Sequence, residues 1–187
     1  MSKMSKINPI KVTDASEASQ AVLEIINKKL GRIPNMYKVM ANSPAVLEAY
    51  VKLNGALASG AIGNKMAELI ALATAEHNSC SYCLSAHTFF ATKVGLTETQ
   101  IKDARLFNAE NSKYNAGLLF AKKILNNPNQ ISSEDISPLK SIGFTDGEIL
   151  EIIANVIRNM FTNYVNTVSN TEVDWDNVVK PLNTEMK

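Results

Sequence analysis

The chain is short of the residues that most proteins use for chemistry. Its 187 residues include two cysteines, two histidines and one tryptophan, and aromatic residues make up 6%. It also lacks an excess of either charge. With 19 Lys+Arg against 18 Asp+Glu, the formal net charge is +1, so no strong field draws the chain to nucleic acid or to an anionic membrane. No apolar run approaches the roughly 18 residues of a membrane span. The opening "MSKMSKINPIKV" has no apolar stretch of signal-peptide type. Two cysteines at close spacing exclude the disulfide framework of a small secreted domain. Together these absences predict a soluble, intracellular, cytoplasmic protein with neither nucleic acid nor membrane as partner. Convincing period-two alternation is missing as well, which argues against a sheet.

Helical period is present almost throughout. Hydrophobic residues make up 45% and charged residues 20%, the composition of a globular domain with a real core. "SEASQAVLEIINKKLG" places Ala18, Val22, Ile25 and Ile26 on one face and ends at Gly31. Pro34 stands near a helix start and Pro44 opens the next helix, which carries Val46, Leu47, Tyr50, Leu53 and Leu57. "NKMAELIALATAEH" sets Met66, Leu69, Ile70 and Ala73 on a stripe, and the helix after it closes at Gly95. Thr97 with Gln100, and Thr145 with Glu148, read as capping boxes. The second box opens the long "GFTDGEILEIIANVIRNMFTNYVNTV", and shared capping chemistry explains its likeness to "GLTETQI". The tail around Trp175 reads as short and polar. The expectation is all-α, one helical domain over residues 1–187. Its core lies at about 40–125 and a C-terminal helical part at about 131–187, with a seam around Asn126 to Ser133.

The scarce residues are gathered in one place. Both cysteines and both histidines fall within "HNSCSYCLSAH", His77 to His87. On a helix, at about 100° per residue, Cys80, Cys83 and His87 share a face within roughly 60°. Asn78 and Ser79 read as the cap, which puts the cysteine pair in the first turn. A helix start and a nearby proton acceptor both favour thiolate, the reactive form. A disulfide across two residues is feasible there, so the pair can cycle between dithiol and disulfide. His87 lies four residues after Cys83 and favours that thiol as the activated one, while Cys80 suits exchange with a reductant. Two other readings stay open at this point. The cysteines can be inert core residues, or His77, Cys80, Cys83 and His87 can supply four zinc ligands. Glu68, twelve residues before Cys80, is a further candidate or else the polar edge of its helix. Glu76 reads as a local pairing residue. Leu84, Phe89 and Phe90 read as core, a subunit contact or a substrate channel.

Glu68, then eleven residues, then Cys80-Ser-Tyr-Cys83, then three residues and His87 resembles the alkylhydroperoxidase D-like pattern of the carboxymuconolactone decarboxylase superfamily. "RIPNMYKVMANSPAVLEAY" resembles the upstream region of its peroxidase-related branch, and the resemblance spans about residues 30 to 170. It implies an alkylhydroperoxidase D-like helical bundle assembled as a homo-oligomer, a trimer or hexamer. It also implies thiol-dependent reduction of hydroperoxides with no bound cofactor and no metal. Carried over, Cys80 and Cys83 are the redox pair, Glu68 and His87 the proton relay, and a dithiol protein or small thiol the reductant. The family's second histidine position is Tyr82 here. With a pKa near 10, a phenol is a poor base at neutral pH, so Tyr82 enters as an accessory candidate only. A lactone decarboxylase of the same superfamily and a non-catalytic redox sensor are the alternative functions.

Overall fold

The computed structural model describes residues 5–182. Residues 1–4 of the chain start and 183–187 of the tail, both read above, lie outside the described residues. Among the described residues there are nine α-helices, two 3-10 turns and no strand.

Local chemistry sets most helix starts. Helix α1 (Glu17–Leu30) is capped by the Ser16 hydroxyl, which accepts from Ser19 N, and ends at Gly31 with φ 70°. Helix α2 (Asn35–Met40) begins after Pro34. Helix α3 (Pro44–Leu57) has Ser43 as its cap and proline in its first turn, where no N–H is missed. After α4 (Gly63–His77) and α5 (Ser81–Lys93), α6 (Glu98–Arg105) opens with the Thr97–Gln100 capping box. Helix α7 (Ser112–Asn126) is followed by a 3-10 turn at Pro128–Gln130, in the seam that the sequence suggested, and then by α8 (Ser133–Ser141). The Thr145–Glu148 box opens α9 (Asp146–Ser169), the longest helix at 24 residues.

Helix α4 is the hub. It packs against α5, α6, α7 and α9, and from Leu69 to Ala75 every side chain is buried. A helix that is apolar all round belongs in the middle of a fold. Against α7 the approach is close: a Cβ added to Gly117 would overlap the Met66 Cε and press on the Phe144 ring at 3.2 Å. One apolar cluster joins α4, α7 and α9. A second joins α1–α3 to Ala75, Cys80, Tyr82, Cys83 and Leu84. The cysteine pair therefore sits in the second core, where the corner between α4 and α5 enters it.

Two sequence readings need correction here. In α1 the buried residues are Ser19, Leu23 and Ile26, while Ile25 is exposed. The inward phase is fixed by a polar contact that apolar spacing cannot signal, the Ser19 hydroxyl donating to the Ala41 carbonyl at 3.1 Å. In α3 only Leu47 and Tyr50 are buried, and Val46 and Leu53 face out.

Candidate active site

The corner between α4 and α5 places the sulfurs, and it differs from the expected cap. Helix α4 runs to His77, and Asn78 is its C-cap. Ser79 then adopts φ 53°, a left-handed conformation that usually selects glycine. Cys80 N donates to Ala75 O and Ser79 N to Glu76 O, both at 2.9 Å. That bond pair is a Schellman turn. The N-cap of α5 is Cys80 itself, its Sγ accepting from Cys83 N at 3.3 Å. Asn78 and Ser79 therefore close one helix rather than open the next. Cys80 and Cys83 are joined by a disulfide with their Cα atoms 5.3 Å apart, and both are buried.

The other two residues singled out meet beside the pair. Glu68, on α4, and His87, on α5, approach at 2.9 Å between Oε2 and Nδ1, with side chains 16% and 18% exposed. Engaging Nδ1 with the carboxylate leaves Nε2 as the ring nitrogen available to the adjoining cleft, which His87 lines together with Cys83. Cys80 is not among the lining residues. The free space amounts to about 50 Å³, enough for a few water-sized groups. Its walls are the rings of Tyr37, Tyr50, Phe90 and Trp175. Burial pushes the Tyr37 and Tyr50 phenols well above their ordinary range, so both present neutral O–H groups.

Sequence reasoning missed three parts of this site. The first is Asn166 on α9, whose Nδ2 donates to Cys83 Sγ at 3.4 Å. Its Oδ1 is buried with no partner. The second is Thr162, one turn earlier, which also lines the cleft. The third is the tail. Asp174 accepts from the Tyr82 hydroxyl at 2.9 Å and from Asn35 N at 2.9 Å, and it pairs with Arg32 at 2.8 Å. Arg32 also stacks on Trp175, 4.8 Å from the ring centroid. Trp175 packs on Phe89 and Phe90, each at 5.4 Å, and closes one side of the cleft. The tail expected to be merely short and polar is thus part of the site's wall. Only the two adjacent residue types, Asp174 and Trp175, hinted at this, and nothing in the sequence indicated their partners.

The remaining candidates separate cleanly. Tyr82 donates to Asp174 and accepts from Met36 N at 3.2 Å. Burial first, and then the Asp174 charge, hold its phenol above the ordinary range, so it ties α5 to α2 and the tail as a neutral group. Glu76 pairs with Arg105 at 2.8 Å and accepts from Leu182 N at 2.7 Å, so its partners lie 29 and 106 positions away rather than nearby as expected. His77 packs edge-on against Phe107, at 6.4 Å between ring centroids. Among the described residues no three or more of His, Cys, Asp and Glu are gathered so as to hold a metal ion. Leu84 is fully buried, Phe89 is 42% exposed, and Phe90 faces the cleft.

Comparison with known proteins follows the same residues. A family model, the carboxymuconolactone decarboxylase family, matches residues 44–123, the span from α3 through α7 that carries Glu68, both cysteines and His87. No curated protein matches by sequence. Among solved structures, the chain is similar to the alkylhydroperoxidase AhpD core of a peroxidase-related protein from Ralstonia eutropha JMP134. The TM-score is 0.82 at 22% identity, over 92% of this chain and 93% of that one. A peroxidase-related protein from Silicibacter sp. TM1040 gives a TM-score of 0.79 at 24% identity, over 92% and 94%. The debrominase Bmp8, as a cysteine-to-alanine variant in complex with 2,3,4-tribromopyrrole, gives 0.75 at 20% identity, over 93% and 94%. The family match covers α3–α7, and the fold is shared across more than nine-tenths of the chain's length: residues 44–123 match the carboxymuconolactone decarboxylase family, and the chain has the alkylhydroperoxidase D-like fold.

Proposed function

We propose that the chain is a thiol peroxidase that reduces hydroperoxides with the Cys80–Cys83 pair. The observation that carries this reading is the disulfide lying beside the Glu68–His87 pair, with Cys83 and His87 both on the cleft. In the reduced protein the Cys83 thiolate attacks the terminal peroxide oxygen and the O–O bond breaks. The departing alkoxide takes a proton from His87, whose orientation Glu68 holds. Cys83 is then a sulfenic acid. The Cys80 thiol attacks its sulfur, the S–O bond breaks, and water leaves with the thiol proton as the disulfide forms. An external dithiol, a protein or a small thiol, supplies the two electrons and two protons that reset the pair. One hydroperoxide and one dithiol thus become one alcohol, one water and one disulfide, with no bound cofactor in the cycle. Cys80 is held at the helix start as N-cap, and Asn166 offers an N–H to the attacking sulfur.

A second reading has one observation in its favour. The cleft walls are aromatic, and the similar debrominase binds a brominated pyrrole. A dithiol can also replace C–Br by C–H, releasing bromide and closing a disulfide. The small free space favours the first. About 50 Å³ fits a peroxide group, whereas drug-sized ligands occupy pockets of roughly 300–1,000 Å³.

The test is consumption of hydrogen peroxide and of a short alkyl hydroperoxide by the pre-reduced chain with a dithiol in excess. Turnover is expected, and Cys83→Ser and Cys80→Ser should each abolish it. An unchanged rate in Cys83→Ser sinks the proposal.

A further inference from the structure

The cleft beside Cys83 owes its size to a side chain that the thiol chemistry does not use. Trp175 lies after α9, beyond residues 44–123 that match the family. Among the described residues it alone lines both of two neighbouring cavities. One is the cleft, with about 50 Å³ of free space. The other is a pocket of about 460 Å³ between α5 and the tail, walled by Ser85, Thr88, Phe89 and Thr92 of α5 and by Asp176. At about 100° per residue, Cys83, His87 and Phe90 occupy one face of α5, and Ser85, Thr88 and Thr92 the nearly opposite one. Phe89 falls on the flank between them, and the indole covers that flank. Trp175, Phe89 and Phe90 stand in mutual contact, each pair of ring centroids 5.4 Å apart. Phe90 faces the cleft and Phe89 the pocket, so the three rings are the partition between the two spaces.

The indole is braced without being the anchor of the tail. Arg32 stacks on it, 4.8 Å from the ring centroid. The chain on either side is held by other groups. Asp174 is held by Tyr82, Asn35 and Arg32. Val179 N donates to the Ser85 hydroxyl oxygen at 2.9 Å, and Leu182 N to Glu76 at 2.7 Å. Taking the indole away therefore leaves the tail tied down before and after residue 175 and removes the middle of the partition.

We propose that Trp175 determines substrate size: its indole closes the cleft to hydroperoxides that carry a ring, and without it the cleft and the pocket become one site that admits them. This rests on the peroxidase reading for its chemistry, with the thiol steps unchanged, and adds which hydroperoxides reach Cys83. The cleft as it stands holds a peroxide group and little more. A cumyl group, a phenyl ring on a branched carbon, has no place there. The pocket beyond lies by itself within the roughly 300–1,000 Å³ that drug-sized ligands occupy. The space vacated by the indole is flanked by Phe89 and Phe90, whose rings offer an incoming ring the offset or edge contacts that aromatic pairs prefer. A single methylene in a hydrophobic pocket changes discrimination by about 10–200-fold, and a whole ring refused or admitted belongs at the upper end of that range or beyond it.

The experiment measures kcat/KM of the full chain for hydrogen peroxide and for cumene hydroperoxide with a dithiol in excess. Alongside it, calorimetry follows binding of cumyl alcohol, the reduced product, to the disulfide form, where no thiol can react. The wild type should prefer hydrogen peroxide and bind no cumyl alcohol. Trp175→Ala should gain about tenfold or more in kcat/KM for cumene hydroperoxide, with no gain for hydrogen peroxide, and should bind the alcohol. Trp175→Phe keeps a ring in the partition and should keep the wild-type preference. Circular dichroism checks the helix content, and if Trp175→Ala unfolds, Trp175→Leu makes the same comparison with a smaller gap. A wild type that takes both peroxides equally well, a variant in which both rates rise together, or a folded variant that neither gains cumene hydroperoxide nor binds the alcohol overturns the proposal. A wild type inert to both peroxides sinks the thiol reading instead, and binding of cumyl alcohol still decides whether Trp175 is the partition.

Discussion

Replacing Asn166 by leucine isolates what the amide does for the attacking sulfur. The Nδ2–H donates to Cys83 Sγ at 3.4 Å. Hydrogen bonds to charged groups contribute about 1.5–3 kcal/mol. A large sulfur acceptor at this distance belongs at the bottom of that range, so we take about 1.4 kcal/mol, which corresponds to one pKa unit. Removing the donor destabilises thiolate and leaves the thiol nearly untouched, so the Cys83 pKa should rise by about one unit. Below both values the thiolate fraction should fall about tenfold, and because the more basic thiolate is about threefold more nucleophilic, the peroxide rate should fall about three- to fourfold. As pH climbs past the raised pKa the deficit should close and the variant's more basic thiolate should become the slightly faster of the two. The fold should tolerate the change, because Asn166 Oδ1 has no partner to lose and leucine is of similar volume. Trp175 is the sole tryptophan and lines the cleft, so its fluorescence can follow single-turnover oxidation of the reduced protein at a series of pH values. Superimposable rate–pH curves for the two proteins would refute the role given to Asn166.

Other perturbations separate the remaining parts. Glu68→Gln keeps shape and removes the charge that orients His87 at 2.9 Å, and single-turnover oxidation should slow by about tenfold or more. Tyr82→Phe strips one buried hydrogen bond from Asp174 and one from Met36 N and should cost about 1–3 kcal/mol in urea unfolding. Its phenol is pushed upward and stays neutral through the working range, so no limb of the pH–rate profile should move. Asp174→Ala removes the acceptor shared by Tyr82, Asn35 and Arg32, and limited proteolysis read by mass spectrometry should show faster cutting within residues 171–182. Thr145→Ala deletes the hydroxyl that caps α9, with an expected loss of about 1 kcal/mol in thermal or urea unfolding.

Much of the fold was legible because helix ends are written in local chemistry. Gly31, Pro44, and the Thr97–Gln100 and Thr145–Glu148 boxes act over three or four residues, and each ends or opens a helix where expected. Cys83 and His87 were legible together because four-residue spacing puts them on one face of a helix, whereas Glu68, on the preceding helix, entered the set only through the family resemblance. The start of α5 was misread for a physical reason. Its cap acceptor is a sulfur, outside the usual Ser, Thr, Asp and Asn set, and the left-handed residue before it is Ser79 rather than glycine. The contacts that complete the site lie far apart in sequence. Asn166 is 83 positions from Cys83 and Asp174 is 92 from Tyr82, and no local pattern encodes such pairs.

Helix α9 shows what periodicity leaves undetermined. The apolar period fixes the angle between two faces of a helix and says nothing about which one the core receives. In α9 the core receives four amides, Asn155, Asn159, Asn163 and Asn166, alongside Ile149, Ile152 and Val156. Part of the amides' desolvation is offset within the helix: Asn155 Nδ2 donates to Glu151 O and Asn159 Nδ2 to Asn155 O, each at 2.8 Å. For the rest, Asn155 Oδ1, Asn163 Nδ2 and Asn166 Oδ1 have no partner within the protein, and burying such groups is costly. An apolar face turned inward would avoid that cost, so the inward amides need a counterweight. One is chemical. A neutral amide can favour thiolate without pinning it in an ion pair, and a lysine at that position would lower both the pKa and the nucleophilicity of the sulfur. On this reading the rotation of α9 is set in part by the sulfur that its amides face.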